Sequence, residues 1–352
     1  MVSVILSENP TTQTKYKYGF ELKENKGTEV QSNQSVVKIK AAALNHRDFW
    51  ILKGQYPGIK TGSVIGADGV AYVTKTDASN LRVGQRVLLN PGHGWDSDAR
   101  GPERSFSILG LLPLIGTLTE EPVSINTEDL VACPDHLSNA EAAALPLAGL
   151  TAYRALFTKG LVQKGEHVLI TGIGGGVALF ALQFAVAAGA HVYVTSSSDE
   201  KIQKAIELGA KGGVNYKKEK PIDELKKLLG GNLLSAVIDG SGSSLCTAYP
   251  KIMRTGGILV CYGQTANTEG FPFTMGHVLK NIDARGSTMG SRREFKEMVE
   301  FVSQHKIKPV VSHVWHGLNA KSVDEAFATI SNGEQFGKLV IEFESATGSP
   351  KL

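Results

Sequence analysis

The chain has 352 residues, and at about 100–200 residues per domain this length predicts two or three domains. Lysine and arginine total 37 and aspartate and glutamate 34, so a formal net charge of +3 gives no electrostatic case for binding nucleic acid or an anionic membrane. Hydrophobic residues make up 42%, and three scattered cysteines are too few for a disulfide framework or a zinc cluster, so we expect a globular cytoplasmic protein.

The first third of the chain is predicted to be rich in β-strands. Its first ten residues lack the basic flank and the apolar run of a signal peptide, and no later stretch is long and apolar enough for a membrane span. Short apolar runs at 36–40, 70–73 and 86–89 are bounded by glycine, asparagine and aspartate. That pattern is typical of strands.

From about residue 146 the pattern changes to strands alternating with helices. The sequence predicts strands at 168–171, 191–195, 236–239 and 258–262 and helices at 176–190, 199–210, 223–229 and 246–253. A strand at 282–287 and a helix at 293–304 follow, and strand character returns at 310–315 and 338–343. Such alternation predicts an α/β fold with a doubly wound parallel sheet, inserted between two segments of a β-rich domain. The predicted segments are 1–146, 147–290 and 291–352.

A glycine-rich loop, TGIGGGVA at 171–178, lies between a predicted strand and a predicted helix. In this context glycines let the backbone turn sharply and approach a pyrophosphate, which free N–H groups at the helix N-terminus then bind. The spacing from Gly172 through Gly175 to Ala178 departs from the strict G-x-G-x-x-G pattern, so a plain tight turn stays open. The loop as a whole is a candidate pyrophosphate site, with Gly174, Gly175, Gly176 and Val177 at the turn into the helix.

The end of the next strand indicates which dinucleotide binds. About twenty residues beyond the glycines, NAD sites offer a carboxylate to the adenosine ribose. Here Ser196 and Ser197 stand at that point, followed by Lys201, and hydroxyl and ammonium groups suit the 2′-phosphate of NADP(H). Two alternatives remain: Ser198 as a simple helix cap, and Asp199 as a ribose ligand for NAD.

Several further motifs carry a family likeness over nearly the whole chain. They are ALNHRD (43–48), GQYP (54–57), IGADGV (65–70), LPLAGLTAY (145–153), the glycine-rich loop and GSTMGSR (286–292). With these motifs the chain resembles the medium-chain dehydrogenase/reductase superfamily and, within it, the zinc-independent quinone oxidoreductase-like branch. The resemblance implies a GroES-like catalytic domain, a Rossmann domain that binds the cofactor, a substrate cleft between them, and a homodimer or homotetramer paired through the cofactor-domain sheets.

The resemblance also implies which residues carry the function. On the substrate side it points to Asn45, Asp48 and Tyr56, with Tyr56 as the first choice of proton donor. On the cofactor side the resemblance points to Gly174, Gly175, Gly176 and Val177 for the pyrophosphate, to Ser196, Ser197 and Lys201 for the 2′-phosphate, and to Thr151 and Tyr216. Tyr262 and Gly263 are candidates because they end a predicted strand at the carboxyl edge of the sheet, where ligands of such folds bind. Arg292, after the last crossover, is a candidate for contact with the cofactor or with the partner subunit. Structural alternatives stay open for several: a cap or loop tie for Asp48, a turn for Asn45, packing for Tyr56 and a solvated helix start for Arg292.

Zinc is not expected. Zinc-dependent members of this superfamily have a cysteine where this chain has Asn45 and a histidine where it has Ala67. They have a second cysteine, or an equivalent ligand, where this chain has Leu147. None of these three supplies a usual zinc ligand. The structural zinc of that family needs four clustered cysteines after the strand that ends near Asn90, and the stretch that follows here contains none.

Without a Lewis acid, oxidation of a plain alcohol is difficult, whereas quinones and α,β-unsaturated carbonyls carry their own activation. The sequence therefore predicts an NADPH-dependent reductase of such small molecules. Two alternatives remain open: an enoyl-thioester reductase of the acryloyl-CoA type, and a protein that binds NADPH without turnover. The last three residues, Pro350, Lys351 and Leu352, loosely resemble a peroxisomal signal, so a peroxisomal location is a second possibility.

Overall fold

The computed structural model of the chain describes residues 1–8, 16–24, 33–111, 113–242, 244–265, 270 and 272–343. The C-terminal tripeptide considered above lies outside the described residues. The strands are Val2–Ser7 (β1), Gly19–Glu24 (β2), Gln34–Leu44 (β3), Asp68–Lys75 (β4), Arg86–Leu89 (β5), Gly92–His93 (β6), Ser107–Ile108 (β7), Val123–Asn126 (β8), Leu130–Ala132 (β9), His167–Ile170 (β10), His191–Ser196 (β11), Gly212–Asn215 (β12), Leu234–Asp239 (β13), Met253–Cys261 (β14), Asp283–Gly286 (β15), Val311–His316 (β16) and Lys338–Glu342 (β17).

The α-helices are His46–Leu52 (α1), Asn139–Ala144 (α2), Pro146–Tyr153 (α3), Gly176–Ala187 (α4), Asp199–Glu207 (α5), Pro221–Leu229 (α6), Met275–Leu279 (α7), Arg292–His305 (α8) and Ala320–Asn332 (α9). Short 3₁₀ segments lie at Thr127–Asp129 and Ser244–Lys251, and the π-helical segment Arg154–Lys159 follows α3. No helix in the described part of the chain has the length and apolar content to cross a bilayer.

The chain divides into two compact units, and the first combines residues Met1–Leu147 with Ser291–Leu352. Its main sheet has the order β16-β17-β3-β4-β5-β9, and β8 pairs with β3. All of these pairings are antiparallel except β16 with β17, and β3 is the longest strand. Alternate side chains of β3 are buried as far as Ile39, and its last four residues are buried without alternation. This end of β3 leads directly into α1.

The second unit, Ala148–Gly290, contains a six-stranded sheet in the order β12-β11-β10-β13-β14-β15. Every pairing in it is parallel, and the helices α4, α5 and α6 connect its first four strands. The fold is therefore α/β, with a GroES-like unit and a Rossmann unit, as the sequence predicted. Strand order reverses between β10 and β13, and in such sheets ligands bind beyond the carboxyl ends of the strands at this switch point.

The helices of the second unit follow from their residue patterns. Helix α4 is apolar along its whole length, and most of its side chains are buried, so it can be covered on several faces. Helix α5 is amphipathic and buries only Ile202 and Ala205. The segment predicted as an ordinary helix at 246–253 is instead mainly a 3₁₀ helix that ends at Lys251, because Pro250 lies inside it and cannot donate a backbone hydrogen bond.

Candidate functional site

In the first unit, three strand ends bring a buried polar cluster together at the end of β3. Strand β17 pairs with β3 so that Leu339 lies opposite Leu44, and β4 pairs with β3 so that Asp68 lies opposite Ala43. Asn45 follows β3 as the N-cap residue of α1, and Lys338 is the first residue of β17. The pairing register therefore places Asn45, Asp68 and Lys338 side by side.

The contacts within this cluster are short and all buried. The Lys338 Nζ donates to Leu44 O at 2.8 Å, to Asn45 Oδ1 at 2.6 Å and to Asp68 Oδ2 at 2.9 Å. Asn45 Nδ2 donates to Asp68 Oδ2 at 2.8 Å, and the other carboxylate oxygen of Asp68 accepts from Leu147 N at 2.7 Å. Asp68 is 0% exposed, Lys338 4% and Asn45 7%, so an ammonium and a carboxylate neutralise each other away from water.

Asp48 lies next to this cluster and holds the start of α1. Its Oδ2 accepts from Asn45 N at 2.8 Å, which is the capping role considered above as an alternative to catalysis. Burial raises the pKa of the Asp48 carboxyl above its usual value, and the Arg47 guanidinium and the Asn45 N–H oppose that rise. Among the described residues its Oδ1 has no hydrogen-bond partner, although Arg47 Nη1 lies 3.7 Å away.

Tyr56 is half-buried and packs against the guanidinium of Arg47, whose central carbon lies 5.2 Å from the ring centroid. Arg47 also donates from Nη1 to Leu109 O at 2.9 Å. The three substrate-side residues predicted from the sequence thus share one neighbourhood: Asn45 contacts Asp48 directly, and Arg47 connects Asp48 with Tyr56.

In the second unit, the glycine-rich loop has the backbone that its sequence predicts. Gly172 and Gly174 have φ values of +67° and +121°, a region that other residues rarely adopt. Gly175 is exposed and stands as the N-cap residue of α4, where no side chain caps the helix. The first-turn N–H groups of α4 therefore donate no hydrogen bond to an N-cap side chain, which leaves them free to bind an anionic phosphate.

A buried carboxylate fixes the base of this loop. Thr171, directly after β10, donates its hydroxyl to Asp239 Oδ1, and Ser241 donates to the same oxygen from its N and its Oγ, each at 2.9 Å. Gly240 N in turn donates to Thr171 Oγ1 at 3.3 Å. Because Asp239 ends β13, these bonds tie the two strands together at the point where the sheet order reverses.

The end of β11 carries the predicted nucleotide-selecting residues. Ser196 is only 4% exposed and Ser197 is exposed, and the side chain of Lys201 lies against Gly174, where a Cβ would meet its Cδ at 2.9 Å. Ser198 Oγ accepts from Lys201 N at 3.3 Å, so Ser198 does cap α5. Burial lowers the pKa of Lys201.

Asp199 is engaged elsewhere. Its carboxylate accepts from Asn215 Nδ2 at 3.1 Å and pairs with Lys218 Nζ at 2.8 Å. The hydrogen bonds from Lys218 and Asn215 lower the pKa of Asp199. Tyr216 is 41% exposed, and its N donates to Ser196 O at 3.0 Å, so the pairing of β11 with β12 brings Tyr216 beside the serines.

The remaining predicted cofactor residues lie in different surroundings. Thr151 is buried in α3. Tyr262 follows β14 and packs so closely on Gly240 that a Cβ there would lie 2.2 Å from the ring, while Gly263 lies near the same backbone. Arg292 is bound by three carboxylates of the first unit, at 2.8 Å from Asp129, 2.6 Å from Asp96 and 2.8 Å from Glu128. This ion-pair cluster accounts for Arg292, and we propose no cofactor contact for it.

Comparisons with known proteins agree with this architecture. The family model described as "Alcohol dehydrogenase GroES-like domain" matches residues 31–135, and the one described as "Zinc-binding dehydrogenase" matches residues 176–304. The chain is 45% identical over 327 residues to the "Zinc-type alcohol dehydrogenase-like protein YogA" of Leptosphaeria maculans, covering 88% of this chain and 90% of that one. The chain belongs to the medium-chain dehydrogenase/reductase superfamily. It is accordingly an oxidoreductase.

Two further likenesses bear on its chemistry. A crystal structure of an NAD-dependent alcohol dehydrogenase superposes with a TM-score of 0.85 at 31% identity, covering 97% of this chain and 99% of that one. The "Acryloyl-coenzyme A reductase" of Metallosphaera sedula is 27% identical over 339 residues, covering 93% of this chain and 97% of that one. The proteins that this chain resembles therefore carry the names of an alcohol dehydrogenase and of an acryloyl-coenzyme A reductase.

Sequence reasoning missed Asp68, Lys338 and Asp239. Lys338 opens a strand, a position where lysine is ordinarily exposed, and its partner Asp68 lies 270 residues away in sequence. Asp68 and Asp239 each give a weak signal, since each is a lone carboxylate at one end of an otherwise mainly apolar strand. A charged residue in such a place is expected to be paired when it is buried.

Proposed function

We propose that this protein is an NADPH-dependent reductase of quinones and α,β-unsaturated carbonyl compounds, and that it works without zinc, as in the quinone oxidoreductase-like branch of the superfamily. The observation that carries the proposal is the Lys338 ammonium bound to Asn45 Oδ1. It places a fixed cation against the residue that stands where zinc-dependent relatives have a cysteine ligand.

The residues at this position do not fit a zinc ion. Asn45 offers an amide whose oxygen is already taken by Lys338, Ala67 has no donor atom, and Leu147 presents a hydrocarbon side chain. Zinc prefers thiolate, imidazole and carboxylate ligands, and an ammonium beside the site would repel it. In the described residues no group of three or more histidine, cysteine, aspartate or glutamate side chains is arranged to hold a metal.

The second unit fits a dinucleotide, and its side chains favour the phosphorylated form. The uncapped first turn of α4 and the exposed Gly175 offer N–H groups and space to a pyrophosphate. The exposed Ser197 hydroxyl and the Lys201 ammonium suit a 2′-phosphate, and the buried Ser196 precedes Ser197 at the end of β11. Asp199, the carboxylate that could serve the ribose of NAD, is held by Asn215 and Lys218.

When bound by the first turn of α4, Ser197 and Lys201, NADPH would supply a hydride to the electrophilic carbon of the acceptor and so be oxidised to NADP⁺. The acceptor becomes an enolate or a hydroquinone anion and takes up one proton, so enone, NADPH and H⁺ give the saturated ketone and NADP⁺. Asn45 donates a hydrogen bond from Nδ2 to the carbonyl oxygen, where negative charge develops. Asp48 holds Asn45 through its backbone N–H, and Tyr56 is the proposed source of the proton.

An enoyl-thioester reductase is the second candidate, and the similarity to the acryloyl-CoA reductase of Metallosphaera sedula favours it. The reaction is the same hydride addition to an alkene conjugated with a carbonyl group. The two candidates differ in whether the substrate carries a coenzyme A group, and kinetics with free enones and with enoyl-CoA esters separate them.

The test measures by absorbance how fast the purified protein oxidises NADPH or NADH in the presence of a quinone, an enone or an enoyl-CoA ester. A parallel assay supplies a primary alcohol with NADP⁺ or NAD⁺ and measures formation of the reduced nucleotide. We expect turnover with quinone or enone and NADPH, no alcohol oxidation, and less than stoichiometric zinc by elemental analysis. Alcohol oxidation that depends on stoichiometric zinc would contradict the proposal. Tight NADPH binding without turnover over the whole panel would indicate a non-catalytic NADPH-binding protein.

The nucleotide preference is tested by Lys201→Ala. Loss of a charge-assisted hydrogen bond costs about 1.5–3 kcal/mol, so we expect the Kd for NADPH to rise about 10- to 100-fold while the Kd for NADH stays unchanged. Asp199→Asn is the matched control, because its carboxylate already has partners within its own unit. A loss of NADH affinity in Asp199→Asn would instead assign that carboxylate to the ribose.

A cytoplasmic location and pairing of subunits through the cofactor-domain sheets complete the proposal. All three cysteines, Cys133, Cys246 and Cys261, are free thiols, which fits a reducing compartment. Strand β15 is the last strand of its sheet in the described residues, and such an edge offers backbone N–H and C=O groups to a second copy.

A further inference from the structure

We propose that Lys338 is a positioning residue that polarises the Asn45 amide and thereby strengthens the hydrogen bond from Asn45 Nδ2 to the carbonyl oxygen of the substrate. The inference rests on the proposed function, in which that carbonyl oxygen gains negative charge. It assigns to a buried lysine, 293 residues from Asn45 in sequence, part of the electrostatic role that a metal ion has in zinc-dependent relatives.

The hydrogen-bond partners fix the orientation of the Asn45 amide. Lysine has only donors, so the atom 2.6 Å from Lys338 Nζ must be the carbonyl oxygen of the amide. An ionised carboxylate only accepts, so the atom 2.8 Å from Asp68 Oδ2 must be the amide nitrogen. Both constraints give the same orientation. In a flipped amide the NH₂ group would face the Lys338 ammonium and the oxygen would face the Asp68 carboxylate, and neither pair can form a hydrogen bond.

The Lys338 ammonium cannot reach a substrate itself. Its three N–H groups meet three oxygens, those of Leu44, Asn45 and Asp68, at 2.6–2.9 Å, and its side chain is 4% exposed. Asn45 Nδ2, by contrast, carries two hydrogens and uses one for Asp68. Its second hydrogen has no other partner among the described residues, and Asn45 retains 7% exposure. Lys338 therefore acts through Asn45.

A cation on the amide oxygen draws electron density from the nitrogen and makes the remaining N–H a stronger donor. The effect is larger in a buried cluster than in water, because the low effective dielectric strengthens each bond and chains of hydrogen bonds polarise one another. Asp68 balances the charge of Lys338, accepts a bond from Leu147 N and fixes the amide plane, so the donor stays oriented before the substrate binds.

The principal test uses the double variant Lys338→Met with Asp68→Asn. Both buried charges are removed together, so no unpaired charge is left in the interior, and the amide introduced at position 68 keeps an acceptor oxygen for its neighbours. We expect an unchanged Kd for NADPH and a kcat for the enone about tenfold lower, less than the 100-fold or greater loss that follows removal of an oxyanion donor. Lys338→Arg keeps the charge and recovers part of that rate. Lys296→Met, an exposed lysine on α8, is the control and keeps wild-type kcat.

Two comparisons separate polarisation from mere structural support. In an Asn45→Ala background the double variant should cause no further loss of kcat, because the donor through which Lys338 acts is gone. The loss should also be larger for a weakly activated enone than for a quinone, which carries its own activation. Equal losses for both acceptors, or fully additive losses in the Asn45→Ala background, would overturn the proposal.

A readout without turnover is the carbonyl stretching frequency of carbon-13-labelled cyclohexanone bound to the protein with NADP⁺. The wild type should shift this band to lower frequency than the double variant does, because a stronger hydrogen bond weakens the C=O bond. Equal frequencies, or no binding of the ketone, would overturn the inference about Lys338. If enone turnover is absent in the wild type but the frequency difference is present, the proposed reaction fails while the polarised amide stands.

Discussion

At the scale of single residues, Asp48 is an incompletely hydrogen-bonded ionisable side chain near the cluster of Asn45, Asp68 and Lys338. Its carboxyl is 2% exposed, one of its oxygens has no hydrogen-bond partner among the described residues, and Arg47 lies at 3.7 Å rather than in hydrogen-bond contact. Burial therefore outweighs the neighbouring guanidinium and raises the pKa of Asp48. A carboxyl with a raised pKa in the folded state binds protons more tightly there than in the unfolded chain.

This shift predicts a pH-dependent effect of Asp48→Asn on stability. Below the unfolded pKa of about 4 both side chains are neutral, so the free energies of unfolding should be similar. As the pH rises from there to the raised pKa of the folded state, the Asp48 carboxyl ionises in the unfolded chain while it stays protonated in the folded protein, so the wild type is progressively destabilised. The advantage of Asp48→Asn should grow over this window and then stay constant, at about 1.4 kcal/mol for each unit by which the pKa is raised.

Denaturant titrations at a series of pH values measure this difference. The exposed Asp77 supplies a control, since Asp77→Asn makes the same chemical change at the surface and separates the effect of burial from that of the substitution itself. If Asp48→Asn instead became less stable than the wild type as the pH rose, then the Asp48 carboxylate would be stabilised by its partners. The assignment of burial as the dominant cause would be wrong.

At the scale of elements, the loop between β10 and α4 separates two uses of glycine. Gly174 has a φ of +121°, and a Cβ there would also press on the Lys201 side chain at 2.9 Å. Gly175 has an ordinary φ of −74°, and the nearest atom to a Cβ there is 3.8 Å away. The first glycine is required by the backbone, and the second leaves space that we assign to the pyrophosphate.

The two positions predict opposite phenotypes. Gly174→Ala should lower the free energy of unfolding by about 1–3 kcal/mol, the usual cost of a strained backbone conformation. Gly175→Ala should cost at most about 1 kcal/mol, the difference between glycine and alanine at an N-cap, and should weaken NADPH binding because its methyl group enters the space of the phosphates. Thermal unfolding without nucleotide and NADPH titration measure the two effects. A Gly175→Ala protein that binds NADPH as tightly as the wild type would show that the phosphates lie elsewhere.

Elements whose signals are local could be predicted from the sequence. The buried strand before the glycine-rich loop and the apolar helix after it form as β10 and α4, although α4 ends at Ala187, before the predicted limit at 190. The helix start at Ser198 followed from its capping serine and the acidic residues Asp199 and Glu200. Each of these features depends on residues within about one turn or one strand.

The polar cluster of the first unit could not be predicted in the same way. Lys338 meets Asn45 and Asp68 only because β17 pairs with β3 in one register, which depends on contacts across almost the whole chain. A one-residue slip of that register would turn Lys338 toward the opposite face of the sheet. Asn45 itself was recognised from its motif, but the residues that hold and polarise it become visible only once the strands are paired.

At the scale of the whole molecule, the six-stranded sheet of the second unit ends at β15, and large apolar side chains stand exposed on the neighbouring helix α7. Met275 is 65% exposed, Val278 50% and Leu279 75%, which is unusual for neighbouring apolar residues on a protein that acts alone. The side chains of β15 itself are mostly exposed, and among the described strands only β14 pairs with it. An open sheet edge and exposed apolar side chains on the helix that precedes it in the chain are both typical of a surface that pairs with another copy.

We therefore expect the protein to form a dimer in which β15 and α7 are covered. Size-exclusion chromatography with light scattering should give the mass of two chains, or of four if dimers pair further. The double variant Met275→Glu with Leu279→Glu should shift the mass to that of one chain, because four glutamates would meet across the interface without compensating charges. Val83→Glu, on an equally exposed apolar residue of the first unit, should leave the mass unchanged. If the α7 variant kept the wild-type mass while Val83→Glu dissociated it, the subunits would pair through the GroES-like unit instead.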